Sequence, residues 1–332
     1  MKDSRYLRVL LFTALLAVPA AALWSGPAAA QTAQAYPTKP VRVVIPWPPS
    51  GSNDLAGRVW AQKLTQILGK PFIVDNRAGA AGTIGADVVA KSPPDGYTLM
   101  VHSTTHVGNP WLYKKLPYDT LRDFTPIGLI ASQPGVLAVH PSLPVKTVND
   151  LIALAKAKPS SINYGSSGNG GQPHLSMALF EQMAGVSLVH VPYKGGGPAV
   201  TGLVSGETQV MIATLASAIT QIQSGRLRAI AVSGSERLKS VPELPTISEA
   251  GLPGYDMDAW MGLFAPAGMP KDLIEKLSTE TARVLQMPEV IQQLAMQGAE
   301  PRILTPEQFA KRLIEDHEKY GRLIKLTGAA IN

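Results

Sequence analysis

Val41-Arg42-Val43-Val44-Ile45 is followed by Pro46-Trp47-Pro48-Pro49-Ser50-Gly51-Ser52-Asn53-Asp54, and then by Ala56, Val59, Trp60, Leu64, Ile67 and Leu68. The β-branched run, broken only by Arg42, reads as a buried strand. The later apolar residues recur at helical spacing, and the segment rich in Pro, Ser and Gly between the two is a loop. Gly69 stands where a helix C-cap belongs, and Phe72-Ile73-Val74 follows as the next strand. Strand, loop, helix and strand within about 35 residues is the signature of an α/β fold with mainly parallel sheet.

The alternation continues outward. A helix is expected near Ile84 to Ala90, with strands at Tyr97 to Val101 and Val136 to Val139. A second series starts at Thr147, which with Asp150 forms a capping box for a helix from Leu151 to Ala157. Strands at Ile162 to Tyr164, Leu188 to Val191, Val210 to Ala213 and Ala229 to Val232 are separated by helices at Leu175 to Met183 and Ala199 to Val204 and by one short helix. Trp260 to Phe264 reads as a strand, and Leu273 to Leu285, Val290 to Met296 and Phe309 to Leu326 carry helical periodicity, the last opened by Thr305, Pro306 and Gln308. These C-terminal helices need a surface on which to bury their apolar stripes. The expected organisation is therefore a discontinuous first domain, residues 36–131 and 255–332, and a second domain, residues 132–254.

The N-terminus bears on compartment. Lys2, Arg5 and Arg8 precede an apolar run from Val9 to Val18, too short for the roughly 20 residues that span a bilayer. Ala28-Ala29-Ala30 offers a small-residue cleavage site, so residues 1–30 are expected to be a secretory signal peptide and the protein periplasmic. With no Cys in the chain, neither a lipid anchor nor a disulfide is available, and a chain of roughly 300 residues can hold together by burial alone. Net charge is +6, of which Lys2, Asp3, Arg5 and Arg8 supply +2, leaving a mild +4 on the exported part. Without a basic stripe interleaved with aromatics, nucleic acid is not an expected partner.

Three loops lie between a strand and a helix, where open α/β sheets place ligands. The first contains Trp47, Pro48, Ser50, Gly51, Ser52, Asn53 and Asp54. The second is Gly165-Ser166-Ser167-Gly168-Asn169-Gly170-Gly171 ahead of His174, and the third is Lys194-Gly195-Gly196-Gly197-Pro198. Their backbone N–H groups and hydroxyls can meet an anion at a helix N-terminus without a cationic side chain. The candidate binding residues are Trp47, Pro48, Ser50 to Asp54, Ser167, Gly168, Asn169, Gly170, His174 and Gly195 to Gly197. Ser103, Thr104 and Thr214, each at a strand end, complete the set. Asp54 has a second reading as a partner for Arg58, and His174 as a capping or packing residue.

Enzyme motifs fail on the same loops. Gly165 and Ser167 fit a nucleophile elbow, but Asn169 stands where its second glycine belongs. Dinucleotide patterns fail at Ala81 and at Pro173, and no Walker sequence occurs. His102 and His106 are the one histidine pair at helical spacing, and without further ligand-type residues beside them no metal is expected. No cofactor is expected either.

These segments together resemble the tripartite tricarboxylate transporter substrate-binding proteins, the Bug family of periplasmic receptors, from about Tyr36 to Ile331. The resemblance rests on Val44 to Asp54, Asp75-Asn76-Arg77-Ala78-Gly79-Ala80-Ala81-Gly82, Pro94-Asp95-Gly96-Tyr97-Thr98-Leu99, Leu116-Pro117-Tyr118-Asp119, Ser167-Gly168-Asn169-Gly170 with His174, His190-Val191-Pro192-Tyr193-Lys194-Gly195, Pro245-Thr246 and Glu249-Ala250-Gly251-Leu252-Pro253-Gly254. It implies a two-domain periplasmic-binding-protein-like clamshell that closes on a small carboxylate and hands it to the membrane permease subunits of a tripartite transporter. The carboxylate would be held by loop amides, hydroxyls and water, with no catalysis; a monomer without membrane anchor is expected. The family's first loop usually carries an aromatic and then Gly-Gly; here Trp47 is bulkier than the common Phe, and Ser50 replaces the first glycine. Docking on a signalling partner, or hydrolysis in the periplasm, are the alternatives the residues leave open.

Overall fold

The computed structural model describes residues 36–329, so the expected signal peptide lies outside the described residues. In the first half of the chain, β1 (Val41–Ile45), β2 (Phe72–Asn76), β3 (Thr98–Ser103) and β4 (Phe124–Ser132) alternate with α1 (Ser52–Leu68), α2 (Thr83–Ala90) and α3 (Thr105–Leu112). Next come β5 (Gly135–Val139), α4 (Val148–Ala157), β6 (Asn163–Ser166), α5 (Gln172–Ala184), β7 (Val189–Pro192), α6 (Gly196–Ser205), β8 (Val210–Thr214), α7 (Leu215–Gln223) and β9 (Arg228–Val232). The chain then returns through β10 (Trp260–Pro266), α8 (Lys271–Leu285), α9 (Pro288–Ala295), β11 (Glu300–Pro301) and α10 (Pro306–Thr327).

Two sheets result, a six-stranded one in the order β11-β4-β10-β3-β1-β2 and a five-stranded one in the order β7-β6-β8-β5-β9. Both are flanked by helices, giving the expected α/β clamshell. The pairing, however, is mixed where the sequence suggested mainly parallel sheets. β1 runs parallel to β2 and β3, and β6 parallel to β7 and β8, but β10 is antiparallel to β3 and β4, and β5 antiparallel to β8 and β9. The reason is topological. β4 leaves the first sheet at its C-terminal end, and the strand returning at that same end must run the other way.

Three of these elements were missed in sequence, β4, α3 and the two-residue β11. β4 carries Pro126, which has no N–H for the ladder and argues against a central strand; a register shift between Leu263 and Phe264 of β10 accommodates it. α3 contains Gly108 and Pro110, which mask its helical period. Elsewhere the local signals are realised. Thr147 with Asp150 and Thr305 with Gln308 form complete capping boxes, and Gly69 closes α1 at φ +71°.

The C-terminal helices return to the first sheet, as their stripes require. Trp60 of α1, fully buried, donates its indole N–H to Thr281 of α8 at 3.0 Å. α10 does more, because it packs against α3 on the first lobe and α5 on the second. Its Asp316 accepts the Trp260 indole N–H at 2.7 Å and pairs with Arg312 and Lys319, and Arg312 reaches Asp256 at 2.8 Å in the segment that returns from the second lobe.

Candidate functional site

The first loop is shaped by a carboxylate that points away from the opening. Asp54, 2% exposed, accepts the Ser50 N–H at 2.8 Å, the Asn76 side-chain N–H at 2.9 Å and the Arg58 guanidinium at 2.9 Å. Asn76 also donates to the Trp47 carbonyl at 2.9 Å, which ties both sides of the turn to β2. Burial pushes the Asp54 carboxyl up, but the Arg58, Ser50 and Asn76 donors outweigh it and hold it below the usual carboxylate range. Ser50 sits at φ +69°, in the left-handed region that favours glycine. The Asp54 bond to its N–H helps hold it there.

Between the two sheets lies a cleft of about 480 Å³. The first lobe contributes Trp47 to Asn53 of the first loop and Ser103, Thr104 and Thr105, where β3 passes into α3. The second contributes Gly170 to Pro173 and Ser176 at the start of α5, and Ile212, Ala213 and Thr214 at the end of β8. The crossing segments add Gln133, Gly135 and Ala259, and Trp260, Met261 and Tyr320 close the wall. Four helices, α1, α3, α5 and α7, therefore begin at this cleft. None of the four has its N-terminus capped by the N-cap side chain, so their first N–H groups remain to be satisfied. No Lys, Arg, His, Asp or Glu among the described residues lines it.

Of the residues singled out in sequence, Trp47, Pro48, Ser50, Gly51, Ser52, Asn53, Ser103, Thr104, Gly170 and Thr214 stand together on this wall. Asp54 stands behind it. Ser167, Gly168, Asn169 and His174 do not line it, and neither do Gly195, Gly196 and Gly197 at the start of α6. His174 instead supports the second loop. Its Nδ1 accepts the Gly170 N–H at 3.0 Å, and its ring stacks on His190 at 4.0 Å between centroids, almost parallel. Burial, and to a lesser extent His190, pushes His174 down to about 4, so it stays a neutral acceptor at physiological pH. The packing reading of His174 fits this position.

The residues missed in sequence come from distant elements. Tyr320 donates to Gln172 at 2.6 Å and so joins α10 to the first turn of α5, and Gln172 in turn donates to the Met257 carbonyl at 3.3 Å. Nothing local to Leu313 or Tyr320 distinguishes a wall residue from an ordinary apolar stripe. Ser176, Ile212, Ala213 and Met261 likewise sit inside elements read only as core. His102 and His106 do meet, at 5.0 Å between ring centroids, but within an aromatic cluster with Tyr118, Phe124 and Phe264, where burial pushes both below the ordinary histidine range.

Residues 56–329 match the tripartite tricarboxylate transporter family receptor. The chain belongs to that receptor family. Among its relatives, protein BugT of Bordetella pertussis is 36% identical over 92% of this chain and 95% of its own length. A protein of Pseudomonas sp. strain P51, described as a UPF0065 protein in the tcbD-tcbE intergenic region, is 37% identical over 93% of each chain. Among solved structures, Rpa4515 of R. palustris with adipate is 35% identical, with a TM-score of 0.71 over 90% of this chain and all of that one. MatC of Rhodopseudomonas palustris with bound malate is 31% identical, with a TM-score of 0.67 over 87% of this chain and all of that one. The family is one of carboxylate-binding receptors, and no helix among the described residues is long and apolar enough to cross a membrane.

Proposed function

We propose that this chain is a periplasmic receptor that captures a small carboxylate between its lobes and delivers it to the permease subunits of a tripartite transporter, without chemical turnover. In this reading residues 1–30 are a cleaved export signal. Residues 36–131 with 255–332 move as one lobe against residues 132–254. The pivot falls where β4 passes into β5 and where the chain returns into β10.

The observation that carries the reading is the meeting of four helix N-termini, two from each lobe, on one cleft whose wall, among the described residues, holds no charged side chain. Unsatisfied N–H groups and the helix dipoles favour an anion there. Each hydrogen bond to a charged group contributes roughly 1.5–3 kcal/mol, so donors on both lobes can draw the two together around the ligand. Adipate and malate in two relatives are consistent with a carboxylate as that anion.

The test is a thermal-shift screen of the mature protein against a carboxylate panel. A ligand at about 100 times its dissociation constant stabilises by roughly 2.7 kcal/mol, a shift of several degrees. An upward shift with at least one carboxylate is expected, and a flat response to the whole panel would overturn the reading.

A further inference from the structure

The second loop has to be ordered from outside the cleft. Four of the seven residues from Gly165 to Gly171 are glycine, with Gly168 at φ +128° and Gly170 at φ +71°, and glycine gives up more conformational freedom on ordering than any other residue. Gly170 and Gly171 nevertheless stand on the cleft wall and lead into α5.

The groups that order the loop lie behind that wall. Tyr164 of β6 and His190 of β7 are direct partners across a parallel strand pair, and Ser166, two residues beyond Tyr164, faces the same side of the sheet. Ser166, 0% exposed, places its Oγ 2.6 Å from His190 Nε2 and 3.2 Å from both the N–H and the carbonyl oxygen of Gly168. His174, on the first turn of α5, accepts the Gly170 N–H at 3.0 Å, and its ring lies 4.0 Å from that of His190 at an interplanar angle of 6°. His190 stacks on Tyr164 as well, at 4.8 Å. Gly168 and Gly170 are thus fastened to two imidazoles that brace each other, the first through Ser166 and the second directly.

Resting on the carboxylate reading, we infer that His190 is a positioning residue for the second-lobe half of the ligand site. It holds Gly168 through the Ser166 hydroxyl and Gly170 through the stacked His174 ring, so the Gly170-Gly171 backbone and the α5 N-terminus meet the anion in one arrangement. His190 itself stands off the wall. Its contribution is preorganisation, because glycines already ordered have less freedom to lose when the ligand arrives.

Two substitutions separate the two routes. His190→Phe keeps a ring for His174 and offers Ser166 no partner, whereas His190→Gln offers Ser166 a polar atom and no ring. Amide hydrogen exchange of the ligand-free mature protein, read by NMR, is expected to rise about tenfold at Gly168 but not at Gly170 in His190→Phe, and at Gly170 but not at Gly168 in His190→Gln. The first-loop amides should keep the parent's rates in both. Calorimetric titration with adipate and with malate should show each variant weaker than the parent by about fivefold or more, the cost of ordering the loop on binding. Both glycine amides rising together in both variants, neither amide changing, or parental affinity in a variant whose loop exchanges faster would each overturn the inference. A parent that responds to no acid in a carboxylate panel would overturn the carboxylate reading alone, since the exchange pattern is read without ligand.

Discussion

Replacing Asp54 by Ala tests whether the cleft's first loop is held open from behind. Its carboxylate takes three donors: Ser50 N–H at 2.8 Å, Asn76 at 2.9 Å and Arg58 at 2.9 Å. Arg58 has about half of its side chain in solvent and can rehydrate, so its loss contributes little. The Ser50 and Asn76 bonds are charge-assisted, and losing two such bonds corresponds to about 3 kcal/mol. For a chain of this length that is a fall in melting temperature of about 5–10 °C. Ser50, released from the carboxylate, should leave its left-handed conformation, and the first loop should lose its arrangement around the α1 N-terminus. Carboxylate affinity should then fall about tenfold or more, the factor of one lost charge-assisted bond. Asp54→Asn keeps the shape and one acceptor and should fall between the two. Urea unfolding and calorimetric titration of the three proteins provide the comparison. An Asp54→Ala protein within 1 °C of the parent in melting temperature, with unchanged affinity, would refute the scaffold role.

Ser50→Gly removes a side chain from a left-handed backbone position and should stabilise the protein by about 1 kcal/mol in urea unfolding. Tyr320→Phe deletes the hydroxyl that joins α10 to Gln172 and leaves that amide oxygen unpaired, for a loss of about 1 kcal/mol in the same assay. Stability should also follow pH in two opposed limbs. His102, pushed down to about 3 by burial, and His174, at about 4, stay neutral when folded, so the unfolded chain takes up their protons first and stability falls as pH drops below the ordinary histidine value of 6.5. Asp258 is raised to about 7, chiefly by burial, so its stabilising contribution is complete below the ordinary aspartate value and is lost as pH rises through 7. Denaturant titrations across pH should therefore place the maximum between about 6 and 7, and Asp258→Asn should flatten the alkaline limb. A flat profile between pH 5 and 8 would contradict both assignments.

The sequence by itself determined what depends on near neighbours in the chain. The run from Val41 to Ile45, the spacing from Ala56 to Leu68 and the boxes at Thr147 and Thr305 fixed strands, helices and their ends, because hydrogen-bond periodicity and capping act over three or four residues. Most of the first loop was legible for the same reason: its Pro, Ser and Gly residues lie between a strand and a helix start. The tertiary structure decided which of three similar loops face the cleft. Gly170 reaches the wall, while Ser167 and Asn169 do not line it, His174 holds the loop by accepting the Gly170 N–H, and Gly195 to Gly197 stay off it, a distinction of orientation that spacing does not encode. It also decided the antiparallel course of β10, which follows from where the chain re-enters the sheet, and the place of Tyr320, which meets Gln172 from the far end of the chain. Ser176 belongs with these. Only after α5 is set against β8 does its hydroxyl become a buried donor on the wall of the cleft.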